Sequence, residues 1–180
     1  MHRKLASDEL GRLTADEFKK AQKLNIVVVL DNIRSSHNVG AAFRTADSFL
    51  IGKIFLCGIC DVPPSADIHK SALGAEFSVD WEYCKETMTA IERLKNEGYR
   101  IVSMEQAEGS TYLNDISVER NTKYALVFGN EVKGVLQEVV DASDEVVEIP
   151  QFGTKHSLNV SVSVGIVLWE YCKAFIHDLH

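Results

Sequence analysis

Positive charge is scarce in this chain: 26 acidic residues face 19 lysines and arginines, a net charge of -7 over 180 residues. A sequence-blind nucleic-acid binder carries a basic footprint, so that class is disfavoured unless cations gather locally. Apolar runs are short as well. Stretches such as Ile26 to Leu30 are soon interrupted by charge, well below the roughly 20 residues of a membrane span. The amino-terminal "MHRKLASDELGR" is basic but lacks an apolar h-region, which excludes a secretory leader and points to the cytoplasm. Four cysteines show no disulfide-framework spacing. Cys57 and Cys60 in "LCGIC" form a lone C-x-x-C. A zinc site needs two further ligands at matching spacing, and none is evident, so the pair reads as small buried residues ending a strand. The chain also has no G-x-G-x-x-G. "GNEVKGV" has the G-x-x-x-x-G spacing of a phosphate loop, but Val135 and Leu136 stand where Lys and Ser or Thr are needed.

What is present is an alternation of helix and strand. Thr14 and Glu17 sit at capping-box spacing, predicting a short helix before the first strand. "NIVVVLD", residues 25–31, is a β-branched run of the kind buried on both faces of a sheet. "VGAAFRTADSFL" puts Val39, Phe43, Ala46 and Leu50 on one helical face, and "KIFLCG" is the next strand. A Pro-containing loop, "DVPPSADIHKSALGA", leads to the strand "VDWEY". Residues 85–97 place Met88, Ile91 and Leu94 at helical spacing and stop at Gly98, a natural C-terminal cap. "YRIVSME", "KYALVFGNE" and "EVVEIP" are further strands. The alternation predicts a single α/β domain with a mostly parallel sheet and helices on both faces.

One stretch, "KHSLNVSVSVGIVLWE" at 155–170, fits two templates. Ser157, Asn159, Ser161 and Ser163 alternate with apolar residues at the period of a strand, whereas Leu158, Val162, Ile166 and Trp169 fall on one helical face.

Ligands of open α/β sheets bind beyond the carboxyl ends of the strands, and three loops there are unusually polar: "DNIRSSHNVGAAFRTAD", "FGNEVKG" and "IPQFGTKHSLN". In the first, Asn38 is placed to cap the helix beginning at Val39, and Arg44 lies on that helix's polar side, where an exposed ion pair would also explain it. In the second, Gly129 and Gly134 bracket Glu131 in a tight turn that lets backbone approach a ligand or simply caps the helix near Val135. In the third, Ser157 is a good helix N-cap beside Lys155 and His156.

Taken in order, "NVGAAFRTAD", "LVFGNEVKGV" and "IPQFGTKHSLNVSVSVGIVLWE" resemble the three motifs of the SpoU, or TrmH-type, RNA 2′-O-methyltransferases of the SPOUT superfamily. The resemblance runs from about Ile26 to Tyr171. It implies an α/β domain over 25–180 whose carboxyl-terminal part, roughly 123–175, forms a deep trefoil knot, preceded by a short helical extension over 1–24. It also implies that the doubly readable stretch is a helix, from Ser157 to roughly Ala174.

The implied reaction moves a methyl group from S-adenosylmethionine to a ribose 2′-hydroxyl of tRNA or rRNA. It requires no metal, because a sulfonium is already a good leaving group. By matching positions, Met104, Gly129, Asn130, Ile149, Ser157 and Leu158 would hold the donor. Arg44 would be the central catalytic residue, organised by Asn38, Glu131, Ser157 and Asn159. Arginine is not deprotonated in proteins, so its role is read as gripping an RNA phosphate or stabilising the forming alkoxide. Arg34, His37, Lys70, Lys133, Lys155 and His156 would make a cationic mouth for RNA on an acidic body. The implied assembly is a homodimer, to which the final helix with Trp169, Tyr171 and Phe175 is suited. Two other classes compete: a knotted module that binds RNA or S-adenosylmethionine without catalysis, and an unrelated nucleotide-binding α/β protein, which the two missing phosphate fingerprints disfavour.

Overall fold

The computed structural model describes residues 2–178. After a 3-10 turn at Ser7–Leu10, the chain forms α1 (Ala15–Lys20), β1 (Leu24–Asp31), α2 (Ser36–Ser48), β2 (Ile51–Cys57), α3 (Ala66–Ala72) and α4 (Ala75–Ser78). It continues through β3 (Trp81–Cys84), α5 (Thr87–Asn96), β4 (Tyr99–Met104), the two-residue β5 (Thr111–Tyr112) and β6 (Lys123–Phe128). Finally come α6 (Gln137–Ala142), β7 (Glu145–Glu148) and α7 (Val160–Cys172), which runs into a 3-10 tail at Lys173–Asp178.

The seven strands form one sheet in the order β3-β2-β1-β6-β4-β7-β5. All six pairings are parallel, rather than most of them. Strand β1 is central, with Val28 opposite Ile54 of β2 on one side and Leu126 of β6 on the other. Alternation along β1 divides the core in two. Ile26, Val28 and Leu30 face a large cluster with Val39 and Phe43 of α2 and Val164, Val167 and Leu168 of α7. Val27 and Val29 face a smaller one with Ala90, Ile91 and Leu94 of α5 and Val139 of α6. A strand covered on both faces needs β-branched residues at every position, which explains why "IVVVL" lacks a polar alternation.

At the amino terminus, Glu17 N–H donates to Thr14 Oγ1 at 3.3 Å while Thr14 N–H donates to Glu17 Oε2 at 2.8 Å, completing the capping box. This anchors α1, whose Phe18 is buried in the larger cluster. Cys57 and Cys60 are buried. The Cys60 thiol donates to Leu30 O at 3.3 Å and accepts from Ile33 N–H at 3.2 Å, and burial pushes it up to about 11. Among the described residues, no group of three or more His, Cys, Asp or Glu is placed to hold a metal, and no helix is long and apolar enough to cross a membrane.

Three local expectations are corrected. The Pro-containing loop holds two short helices, α3 and α4, because Ser65 accepts from Ile68 N–H and caps α3 after the double proline. Helix α2 begins at Ser36, not Val39, and is capped by Ser35, whose hydroxyl accepts from Asn38 N–H at 3.3 Å. Helix α7 begins at Val160, not Ser157. Its cap is Asn159, which accepts from Ser161 N–H and Oγ–H at 2.9 and 2.6 Å, an arrangement Ser157 is too far upstream to make.

Candidate active site

Three strands end around one open cavity of about 120 Å3. Met104 ends β4, Phe128 ends β6 and Glu148 ends β7, and each lines it. This is the carboxyl edge of the parallel sheet, where such folds take their ligands. The second wall is the irregular segment from Ile149 to Leu158, with the start of α7 behind it.

The turn after β6 is held by backbone bonds between Asn130 and Gly134, 2.9 Å in each direction. Gly129 is required there: a Cβ on it would lie 2.1 Å from Gly134 C and Val135 N, which are backbone atoms that cannot step aside. The Asn130 side chain accepts from Val132 N–H and Lys133 N–H and donates to Asn32 O, tying the turn to the loop after β1. Beneath this lies Asp31, fully buried at the end of β1. Its carboxylate accepts from Thr87 Oγ1–H at 2.5 Å, Asn32 Nδ2–H at 2.8 Å and Leu136 N–H at 2.8 Å, so one side chain pins three loops.

Glu131, next in the turn, reaches across to the loop after β1. Its Oε2 accepts from Arg34 N–H at 2.9 Å, and its Oε1 accepts from Ser35 N–H at 3.1 Å and Asn38 Nδ2–H at 2.9 Å. Asn38 in turn accepts from Asn159 Nδ2–H at 3.2 Å. Partial burial pushes the Glu131 carboxyl up, but the Arg34, Asn38 and Ser35 donors outweigh it and hold the group below the usual carboxylate range. The anion so held accepts from the N–H groups of Arg34 and of the cap residue Ser35, just ahead of α2, the end of a helix that favours negative charge.

All six positions that the resemblance assigns to the donor, Met104, Gly129, Asn130, Ile149, Ser157 and Leu158, line the cavity. Glu131 lines it too, whereas Asn38 and Asn159 stand behind Glu131 in the hydrogen-bonded chain. Asn38 is therefore not the cap of α2: its backbone takes the cap bond, and its amide is spent on Glu131. Arg44 lies on the exposed side of α2, and its guanidinium makes no hydrogen bond or ion pair among the described residues.

Of the cationic positions, Arg34, His37, Lys133, Lys155 and His156 are exposed. Three sit on segments bonded to the cavity's rim, through Arg34 N–H to Glu131, the Asn130 turn that carries Lys133, and Gln106 Nε2–H to His156 O at 3.1 Å. Lys70 is paired with Asp67 at 2.7 Å, which blunts its charge.

Sequence reasoning missed Glu105. It follows β4 directly, lines the cavity, and accepts from Val135 N–H and Gln106 N–H at 2.8 and 2.9 Å. Its signal was available in principle, since a carboxylate immediately after a buried strand at a sheet's carboxyl edge is rarely there for packing.

Fold and cavity together define an α/β protein that takes a small ligand at the carboxyl edge of a parallel sheet. The chain belongs to the SpoU rRNA Methylase family, whose model matches residues 25–169. It is 32% identical over 156 residues to the tRNA (guanosine(18)-2'-O)-methyltransferase of Aquifex aeolicus, covering 85% of this chain and 71% of that protein. It is 31% identical over 150 residues to the enzyme of the same description from Borreliella burgdorferi, covering 80% and 64%. Among solved structures, the TrmH/SpoU tRNA modifying enzyme of A. aeolicus superposes with a TM-score of 0.79 at 27% identity, covering 91% of this chain and 81% of that one. The AdoMet-bound rRNA methyltransferase of Sinorhizobium meliloti superposes at 0.80, also at 27% identity, covering 88% and 60%. The chain thus spans about two thirds of the length of the curated relatives it matches.

Proposed function

We propose that this chain transfers a methyl group from S-adenosylmethionine to a ribose 2′-hydroxyl of tRNA or rRNA, in the cytoplasm and as a homodimer. The observation that carries the reading is the joining of two parts: a cavity at the ends of β4, β6 and β7, and the Asn159–Asn38–Glu131 chain that fixes its wall. The cavity's chemistry fits the donor. Met104, Ile149 and Leu158 offer apolar surface for an adenosyl group, the Gly129 turn offers close backbone, and Glu105 and Glu131 offer negative charge for a cationic ligand.

When bound, the donor supplies an electrophilic methyl on a sulfonium leaving group. What remains for the protein is to orient the acceptor hydroxyl, exclude water and accommodate the proton that leaves it. Glu131 is engaged by three donors and is suited to positioning. Arg44, with its guanidinium uncommitted, is suited to an RNA phosphate or to the oxygen as it gains negative charge. Arg34, His37, Lys133, Lys155 and His156 would receive the RNA backbone, with Lys70 competing against Asp67. The sheet order supports a knotted carboxyl-terminal part over roughly 123–175, because β7 enters between β4 and β5, both of which precede it in the chain. The stripe of Val162, Ile166 and Trp169, 48%, 38% and 53% exposed, supports a second copy packed on α7.

The test is methyl incorporation from labelled S-adenosylmethionine into total tRNA and rRNA lacking native modification, with wild type and Arg44→Ala. Transfer into one pool that falls by at least about a hundredfold in the variant, with donor affinity by calorimetry unchanged, supports the reading and names the RNA class. Donor binding without transfer to either pool overturns the catalytic reading in favour of a binding module.

A further inference from the structure

A second cavity of about 350 Å3 opens beside the first, and Gln106, Glu148, Ile149 and Gln151 line both. Its far side carries two aromatic rings that the core does not use. Phe152 is 97% exposed and Tyr112 is 51% exposed. A single exposed aromatic ring is unremarkable on a protein surface. Two of them in the wall of a cavity that adjoins a ligand site, with amides between, are a different matter.

The polar side chains of this cavity are three amides, a phenol and one carboxylate, with no cation among them. The Gln106 amide donates one N–H to His156 O and the Asn114 amide one to Asp115, which leaves each with a carbonyl oxygen and a second N–H to offer. Gln151 makes no hydrogen bond among the described residues, so both its donors and its acceptor are uncommitted. The one charged lining group is Glu148, a carboxylate. Such a lining repels phosphate, so the backbone of a nucleic acid is not what enters. It suits a flat apolar face whose edge mixes N–H donors with acceptors, which is the description of an unstacked nucleobase.

From this we propose that the cavity between Phe152 and Tyr112 is a nucleobase subsite: one base of the RNA substrate leaves its stack, lies against the Phe152 ring and presents its amino edge to Glu148 and the neighbouring amides. The inference rests on the reading of the chain as an RNA methyltransferase. It adds a residue, Phe152, that touches substrate without touching donor, and it gives an acidic wall a task that RNA binding would otherwise make paradoxical. The cationic rim holds the backbone, and the cation-free, amide-lined cavity selects the base.

Phe152→Leu keeps an apolar side chain and removes the π-face, whereas Phe152→Tyr keeps both. Neither threatens the fold, because the ring is almost wholly in solvent. Loss of one base–aromatic stack is expected to lower kcat/KM for RNA by roughly tenfold or more in Phe152→Leu, carried by KM, with Phe152→Tyr near wild type and donor affinity by calorimetry equal in all three. A second measurement needs no methyl transfer. The fluorescence of 2-aminopurine in a short single-stranded oligoribonucleotide is quenched by stacking, and should be quenched by wild type and Phe152→Tyr but not by Phe152→Leu.

Equal RNA kinetics and equal quenching in Phe152→Leu would overturn the subsite. Weakened donor binding in that variant would assign the ring to the donor's adenine, and a changed sedimentation coefficient would assign it to a subunit contact; either also overturns it. Phe152-dependent quenching by a wild-type protein that methylates neither RNA pool would instead leave the subsite standing and remove the methyltransferase reading.

Discussion

Asn38 of α2 donates its amide to Glu131 at 2.9 Å across 93 positions of sequence, and in doing so joins the first polar loop of the chain to the turn after β6. Glu131 accepts from two backbone N–H groups as well, so an acid is needed there rather than any polar residue. An amide in its place would turn one N–H group toward another. Glu131→Gln should therefore cost about 1–3 kcal/mol of stability, read from the urea midpoint, and should lower methyl transfer. The pH dependence follows from the depressed pKa of Glu131. Its contribution is fully present above the ordinary carboxylate value of 4.5 and is lost as pH falls below that toward the folded-state value, where the unfolded chain binds the proton first. Across that window the wild type should lose stability faster than Glu131→Gln. Parallel acid-unfolding curves for the two proteins would contradict the assignment.

Gly129 gives a sharper steric case. A methyl there would sit 2.1 Å from two backbone atoms of the facing turn, so the turn must open to admit it. Gly129→Ala should lose donor binding by at least tenfold in calorimetry and destabilise the domain by about 1–3 kcal/mol, as overpacking does. Unchanged donor affinity would mean that the turn is not part of the donor's wall.

Asn159 has two tasks that different substitutions separate. Its oxygen caps α7 through Ser161, and its nitrogen donates to Asn38. Asn159→Ala loses both and should cost about 0.5–2 kcal/mol in the urea midpoint. Asn159→Ser keeps a cap but not the reach to Asn38, and should recover most of that stability while leaving methyl transfer impaired. Full activity in the serine variant would confine Asn159 to capping.

The core strands were legible in the sequence because burial on both faces leaves a β-branched run that nothing else requires: Ile26 to Leu30 is buried throughout. Helix α5 was legible for the opposite reason, since Met88, Ile91 and Leu94 mark one face against charge on the other. Two helix starts were misplaced because serine and asparagine both cap, and sequence alone does not say which of Ser35 and Asn38, or of Ser157 and Asn159, has its side chain free to do so. Asn38 is committed to a residue 93 positions away. Helices α3 and α4 were hidden by the double proline before them, and Glu105 by its adjacency to an apolar strand. The three polar loops pointed to the carboxyl edge of the sheet, but which residues line the cavity was visible only through the resemblance, for that depends on where β4, β6 and β7 end relative to one another, a property of register rather than of any local pattern.

Helix α7 is apolar nearly all round, which accounts for its double reading in the sequence and leaves one side uncovered. Val164, Val167, Leu168 and Tyr171 are buried against the sheet and α2, while Val162, Ile166 and Trp169 form an exposed stripe at spacings of four and three. A helix hydrophobic on every face normally lies inside a protein. Contact with a second copy would place it there and remove the cost of hydrating the stripe. Introducing Val162→Glu and Ile166→Glu together would bury two unpaired carboxylates in such an interface, yet in a lone subunit both side chains reach water. The doubly substituted protein should sediment as a monomer at micromolar concentration with an unchanged helical circular dichroism signal, while the wild type sediments as a dimer. A wild type that is itself monomeric at that concentration would remove the dimer and require another cover for α7.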